Sequence, residues 1–239
     1  MSSLQKVAVV VGVGPGLGKA LAVRFAKGGF RVALVARRDE SVRDAQTEIE
    51  ALGGSARAFL ADVADEESVR STFGRIHAEA GAPEVLLYNA GAFQMGGILE
   101  LSTATFEQAW RVNCLGGFLS AQAVLPGMLE RRRGTVIFSG ATASLRGSAR
   151  FAGIAVGKFG LRALAQSMAR ELGPKGIHVA HVVIDGGINT PRVKAMLPER
   201  DPETFLDPAA IAETYWSLHS QDASAWSQEV DLRPSVEKF

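Results

Sequence analysis

Val11-Gly12-Val13-Gly14-Pro15-Gly16-Leu17-Gly18 is the stretch whose reading decides the fold. The apolar run Val7 to Val11 leads into it, and a helical pattern over 19–27 leads out. Glycine lets a backbone turn sharply and approach a ligand closely. The start of the following helix aims unpaired N–H groups and a positive dipole end at whatever lies there. The stretch therefore reads as a cradle for a diphosphate. Its glycines fall at 12, 16 and 18, with Gly14 extra, not in the Gly-x-Gly-x-x-Gly order of the commoner dinucleotide fingerprint. A strand–helix turn packed tightly for its own sake is the competing reading. The strand before and the helix after favour nucleotide binding.

The chain has 239 residues, 47% of them apolar, enough for one domain over 1–239 with a sizeable core. Its 26 basic residues nearly balance 25 acidic ones, so no charge excess points to nucleic acid or to a membrane surface. The short basic run Arg131-Arg132-Arg133 precedes Gly134 at a predicted helix end, where cations suit the dipole. The start, Met1-Ser-Ser-Leu-Gln-Lys6, lacks the layout of a signal peptide. No apolar run reaches the roughly 20 residues needed to span a bilayer. The single cysteine, Cys114, makes no internal disulfide. A reducing, cytoplasmic setting is the expectation. Cys114 sits in an apolar helical stretch, where a small buried thiol is usually inert.

Short apolar runs at 7–11, 30–36, 56–60, 85–89, 135–139 and 178–184 read as strands. Their near-continuous apolar character suits strands covered on both faces. Helical patterns lie at 17–27, 41–52, 66–80, 103–132 and 150–172. Such alternation predicts a doubly wound parallel sheet, an α/β fold of Rossmann type. Regularity breaks over 185–208, punctuated by Pro191, Pro198, Pro202 and Pro208. A helix over 209–220 and a last strand over 229–232 follow.

Cofactors on such sheets bind outside the carboxyl ends of the strands. After the second strand come Arg37 and Arg38, where an arginine accommodates the 2′-phosphate of NADP and a carboxylate would select NAD. NADP(H) is therefore expected, with NAD(H) the other possibility; two solvated arginines opening a loop are the bland reading. After the third strand, Asp62-Val63 is a candidate cap on the adenine edge, and Asp62 serves equally as a turn or N-cap residue. After the fourth, Asn89-Ala90-Gly91 offers small residues that admit a ligand beside the backbone.

In order and spacing, the glycine loop, Asp62-Val63, Asn89-Ala90-Gly91, Asn113, Lys158 and the segment 186–190 resemble the short-chain dehydrogenase/reductase family. The resemblance covers nearly the whole chain. It implies a single-domain enzyme, often a dimer or tetramer, that moves hydride between NAD(P) and a small alcohol or carbonyl. It also implies that Gly12, Gly14, Pro15, Gly16, Leu17 and Gly18 hold the diphosphate and that Lys158 grips the nicotinamide ribose. Gly186, Ile188 and Thr190 would then face the carboxamide and phosphates.

Such enzymes use an Asn, a Ser, a Tyr and a Lys. Asn113 and Lys158 match the first and last. Four positions before the lysine stands Ile154, and the serine position is Ala141. In a related branch the tyrosine lies seven before the lysine, and here that residue is Phe151. Tyrosine gives or takes the proton on the reacting oxygen, and the lysine cation lowers its pKa. Isoleucine does neither. Thr142, Ser139 and Ser144 flank the missing serine, and Ser139, two residues away, would face the same direction if the strand stays extended. Tyr88 and Tyr215, the two tyrosines of the chain, read as packing aromatics. The family's usual proline before Gly186 is Asp185, either an unusual polar contact to the nicotinamide region or a turn residue.

The sequence thus predicts an NADP(H)-binding oxidoreductase with ordinary carbonyl–alcohol chemistry in doubt. The alternative is a catalytically silent sensor or interaction protein. A third reading is hydride transfer to an activated C=C or C=N bond. Helices 103–132 and 150–172 resemble assembly surfaces, so a homo-oligomer is expected.

Overall fold

The computed structural model describes residues 6–236. The start of the chain, on which the leader reading rests, and both ends of the single domain expected over 1–239 lie outside the described residues. Seven parallel strands form one sheet in the order β3-β2-β1-β4-β5-β6-β9: β1 (Val7–Val11), β2 (Arg31–Ala36), β3 (Ser55–Leu60), β4 (Pro83–Tyr88), β5 (Gly134–Ser139), β6 (Ile177–Ile184) and β9 (Glu229–Leu232). The two remaining strands, β7 (Gly187–Ile188) and β8 (Phe205–Leu206), pair apart from it. The chain runs outward from β1 to β3, then returns to the other side of β1 with β4. That reversal opens a crevice between the loops after β1 and β4, where such sheets bind ligands.

Alternate residues of each strand face opposite layers. Val9, Val11 and Val35 join a core with α3 (Glu66–Ala80), α5 (Gly116–Arg131) and α6 (Ala152–Leu172). Ala8, Val10 and Leu34 join the opposite core with α1 (Leu17–Lys27), α2 (Asp39–Ala51) and α8 (Pro208–His219). Every residue of β1 is buried, which explains its unbroken apolar content.

The predicted elements form within a few residues of their expected ends, with two corrections. The pattern over 103–132 is not one uniform helix. It is α4 (Thr103–Trp110), a wide π turn over Arg111–Leu115, and α5. The Tyr88 hydroxyl donates to the Val112 carbonyl at 2.5 Å within this turn. Gly116 lies so close to that hydroxyl and to Val63 that a side chain there would collide. The run Thr103–Arg131 spans 29 residues and is long and apolar enough to cross a membrane by those measures. Here it packs along α3, α6 and β4, with half of its most apolar window buried.

The second correction concerns 185–208, which holds α7 (Pro191–Met196) as well as the β7–β8 pair. Its prolines begin structure as well as interrupt it. Pro191 and Pro208 occupy first turns, behind the capping side chains Thr190 and Asp207, because a helix start needs no N–H from that residue. The basic run reads as expected: Arg131 donates to the Pro83 carbonyl and Arg133 pairs with Glu84 at 3.1 Å.

Replacing Tyr88 with Phe strands the Val112 carbonyl. We expect a loss of about 1–3 kcal/mol, the usual cost of leaving a buried acceptor unpaired. Urea unfolding measures it, and an unchanged midpoint would show that the π turn stands without this bond.

Candidate functional site

The glycine loop leaves β1 tied to β2, because the N–H groups of Gly12 and Val13 both donate to the Val35 carbonyl, at 2.8 and 3.1 Å. Gly12 has φ +90°, a left-handed conformation that favours glycine. A side chain there would strike the backbone of Asn89 and Ala90. Asn89 answers from the far side of the crevice, its amide donating to the Gly12 carbonyl at 3.1 Å. Gly18 packs against Gly12 and Val13, while nothing lies within 4 Å of the place a Gly14 side chain would fill. No side chain caps the start of α1. The loop after β6 closes the other wall, with the Thr190 methyl 2.5 Å from where a Gly16 Cβ would sit. Open space beside Gly14 and an uncapped helix start just beyond Pro15 and Gly16 thus lie together, which fits a diphosphate.

Arg37 and Arg38 leave the end of β2 exposed, and neither is ion-paired among the described residues. Asp62 is exposed, and its carboxylate accepts from the Ala64 N–H at 3.0 Å, the geometry of a turn. The Val63 side chain is buried in the core. Gly186 is left-handed at φ +153°, and Ile188 sits in β7.

Asn113 lies in the π turn, fully buried. Its amide donates to the carbonyls of Ala92 and Ala109, both at 2.9 Å, and its oxygen accepts from the Ala92 N–H at 3.3 Å. It thereby fastens the loop after β4 to the α4–α5 run. Lys158, on α6, is 6% exposed, and its Nζ donates to the Ser139 carbonyl at 2.7 Å. Gly91 lies between the two: a Cβ there would sit 3.4 Å from Asn113 Oδ1 and 3.9 Å from Lys158 Nζ. Burial pushes the Lys158 ammonium down to about 8, because a low dielectric penalises the charged form.

Ile154 stands one helical turn before Lys158, on the same face of α6. Ala141 follows the end of β5, extended and half-buried. The three hydroxyls that flank it are all engaged. Ser144 accepts from the Ala141 N–H at 3.1 Å. Ser139 does not share the lysine's side of the sheet. Its hydroxyl meets the Tyr215 hydroxyl at 2.7 Å, toward α8. Strand alternation explains this: Ile137 faces α8 with it, whereas Val136 and Phe138 face α6. Thr142 alone turns to another site residue, donating to Asp185 Oδ1 at 2.5 Å. Both tyrosines are buried, and burial raises their hydroxyl pKa values far above neutrality. Burial also raises the thiol pKa of Cys114, which suits an inert side chain.

One group had no motif to announce it. His181 is fully buried beneath α6, its Nδ1 3.0 Å from Glu229, which Arg162 grips with two bonds of 2.6 Å. Burial holds the imidazole down at about 4, so it is neutral at physiological pH. A histidine within an apolar strand carries no positional signal. A separate hollow of about 320 Å³, lined by Glu84, Arg133, His178, His219 and Trp226, opens at the amino ends of β4–β6, away from this site.

Residues 6–201 match the family described as short chain dehydrogenase. The chain belongs to this family. It is 32% identical to the 3-oxoacyl-[acyl-carrier-protein] reductase of Bos taurus over 196 residues, 82% of this chain and 81% of that one. A short-chain dehydrogenase from Rhodopseudomonas palustris superposes with TM-score 0.82 at 40% identity, covering 96% of this chain and 98% of the other. A metagenomic short-chain oxidoreductase in complex with NADP superposes with TM-score 0.85 at 29% identity, covering 99% and 100%. As a short-chain dehydrogenase, the chain is an oxidoreductase by family, built on the Rossmann-type sheet described above.

The buried lysine makes stability depend on pH. Between about 8 and its ordinary value of 10.5, the folded chain binds fewer protons at Lys158 than the unfolded chain does. Stability should therefore rise with pH across that window, by up to about 1.4 kcal/mol per unit. Urea unfolding at successive alkaline pH values should show this rise relative to Lys158→Met. Parallel curves for the two proteins would mean that Lys158 titrates normally.

Proposed function

We propose that this short-chain dehydrogenase binds NADP(H) and transfers hydride to an acceptor that takes no proton from position 154. The observation that carries the reading is Ile154. It occupies the face of α6 one turn before Lys158, where the family resemblance expects the acid–base tyrosine. Ala141, at the serine position, offers no donor to a reacting oxygen. A positioned acid–base group is worth about 10²–10⁴-fold in rate, so reduction of simple ketones should be very slow.

The nucleotide half of the site favours cofactor binding. Gly12, Gly14, Gly16 and Gly18 would cradle the diphosphate at the start of α1, and Lys158 with Asn113 would stand at the nicotinamide ribose. The cofactor supplies a hydride donor when bound. The chain's residues orient it, and Ile154 gives the adjoining wall an apolar surface. Arg37 and Arg38 are free to meet a 2′-phosphate, and the metagenomic relative's NADP supports that choice. This retained cradle and buried lysine favour a working oxidoreductase over a silent sensor. A homo-oligomer, dimer or tetramer, is supported by Trp110, Phe118, Val156 and Phe159, large apolar side chains left exposed on α4, α5 and α6. A reducing, cytoplasmic setting suits the lone thiol.

NADPH should bind at least about tenfold more tightly than NADH, and Arg37→Ala should erase most of that difference, since a charge-assisted phosphate contact is lost. Fluorescence titration decides it, and equal affinities in the unaltered chain would refute the phosphate contact. Restoring Ile154→Tyr together with Ala141→Ser should raise ketone reduction by about 10²–10⁴-fold. Continued silence with NADPH bound would mean that these positions no longer point at a reacting oxygen.

A further inference from the structure

We propose that the hydride acceptor is an iminium, a positively charged carbon–nitrogen double bond, seated against the Asp185 carboxylate. The proposal rests on the reading above, in which position 154 gives no proton, and adds the substrate's chemical class. Three features of the strand ends support it.

The first is polarity. Thr142 follows Ala141 directly, and its one hydroxyl hydrogen is committed to Asp185 Oδ1 at 2.5 Å. What this corner then offers a ligand is acceptor oxygen: the threonine lone pairs and a carboxylate. A carbonyl oxygen, itself an acceptor, is repelled by such a surface. A cation is attracted.

The second is charge. The Asp185 side chain is 13% exposed, with Arg233 3.6 Å away. That guanidinium is also in contact with Asp231, so two carboxylates share it. Lys158 is bonded to the Ser139 carbonyl beside Gly91 and Asn113, at the ends of β5 and β4, whereas Asp185 follows β6. The end of β6 thus carries the carboxylate of this corner, and a cation seated there would take that carboxylate as its partner beside Arg233. A charge taken out of water needs such a partner. The Asp185 backbone N–H donates to the Leu232 carbonyl at 2.8 Å. A proline at that position would forfeit this bond, and the aspartate keeps it while adding the charge.

The third is proton economy. Hydride from NADPH forms a C–H bond at the iminium carbon, and the C=N π pair becomes the nitrogen lone pair. The products are a neutral amine and NADP⁺. No O–H bond forms, so no side-chain acid is required, and Ile154 and Ala141 are no handicap. Met95, Ile98 and Leu99 after β4, with Met196 and Leu197 in and after α7, are exposed and apolar, which suits an apolar body around the cationic nitrogen.

The test uses the chain saturated with NADPH. Calorimetric titration compares N,N-dimethyl-tetrahydroisoquinolinium, a permanent cation that accepts no hydride, with its neutral all-carbon isostere, dimethyltetralin. The cation should bind at least about tenfold more tightly, and Asp185→Asn should bring the two level while NADPH still binds. N-methyl-dihydroisoquinolinium should oxidise NADPH where the ketone tetralone does not. Equal binding of cation and isostere by the unaltered chain overturns the proposal whether or not the variant folds. A cation preference that survives Asp185→Asn overturns the role of the carboxylate. NADPH binding is read first from its own fluorescence; its absence would defeat the cofactor reading and the proposal with it.

Discussion

The carboxyl edge of this sheet depends on how closely two backbones meet. After β1 the chain turns left-handed at Gly12 and lies against the backbone of Asn89 and Ala90, leaving no space for a β-carbon. The Asn89 amide then locks the two loops through the Gly12 carbonyl. Strand order reverses at this point, so the same contact defines the crevice, sets the entry of α1 and starts the segment that carries Gly91 toward Asn113. A single methyl group at residue 12 would part these loops and shift the entry of α1.

Lys158 shows a second constraint. Its ammonium is buried against one backbone carbonyl, in surroundings that lower its pKa. Folding therefore spends stability to hold a cation there. Without a tyrosine one turn away, the grip on the cofactor's ribose that we propose for Lys158 would account for that outlay. Asp185 follows β6 with a carboxylate, and apolar Ile154 occupies the lysine's own helical face. The family's scaffold is thus retained around a corner that, on the proposed reading, is apolar at Ile154 and rich in acceptor oxygen at Asp185.

The sheet, its order of elements and the nucleotide loop were legible because each rests on a local rule. Buried parallel strands require unbroken apolar runs such as Val7–Val11, and a tight approach requires glycine. The π turn over Arg111–Leu115 was not legible, because Tyr88, distant in sequence, shares in holding it. Ser139 was misdirected for a related reason. In a strand buried on both sides, apolar content says nothing of which face a residue joins, although counting from Ile137 by twos would have turned the serine toward α8. Asp185 was visible as a departure, but its bond to Thr142 joins residues 43 apart in sequence. His181 gave no local signal at all.

The wide turn between α4 and α5 also governs how this chain tolerates insertion and deletion. Each α-helical residue rotates the following side chains by about 100°, and a π turn absorbs one surplus residue without breaking the run. Here that surplus allows Trp110 to remain on the surface while Asn113 and Val112 face inward and Leu119 and Val124 reach the core. Loss of one residue between 111 and 115 would remove that surplus and let α4 run into α5 as one regular helix, with the apolar face of α5 still on the sheet but Asn113 turned from its place. What the surplus residue secures is consequently the placement of Asn113 against Ala92 and Ala109, not the face that α5 presents.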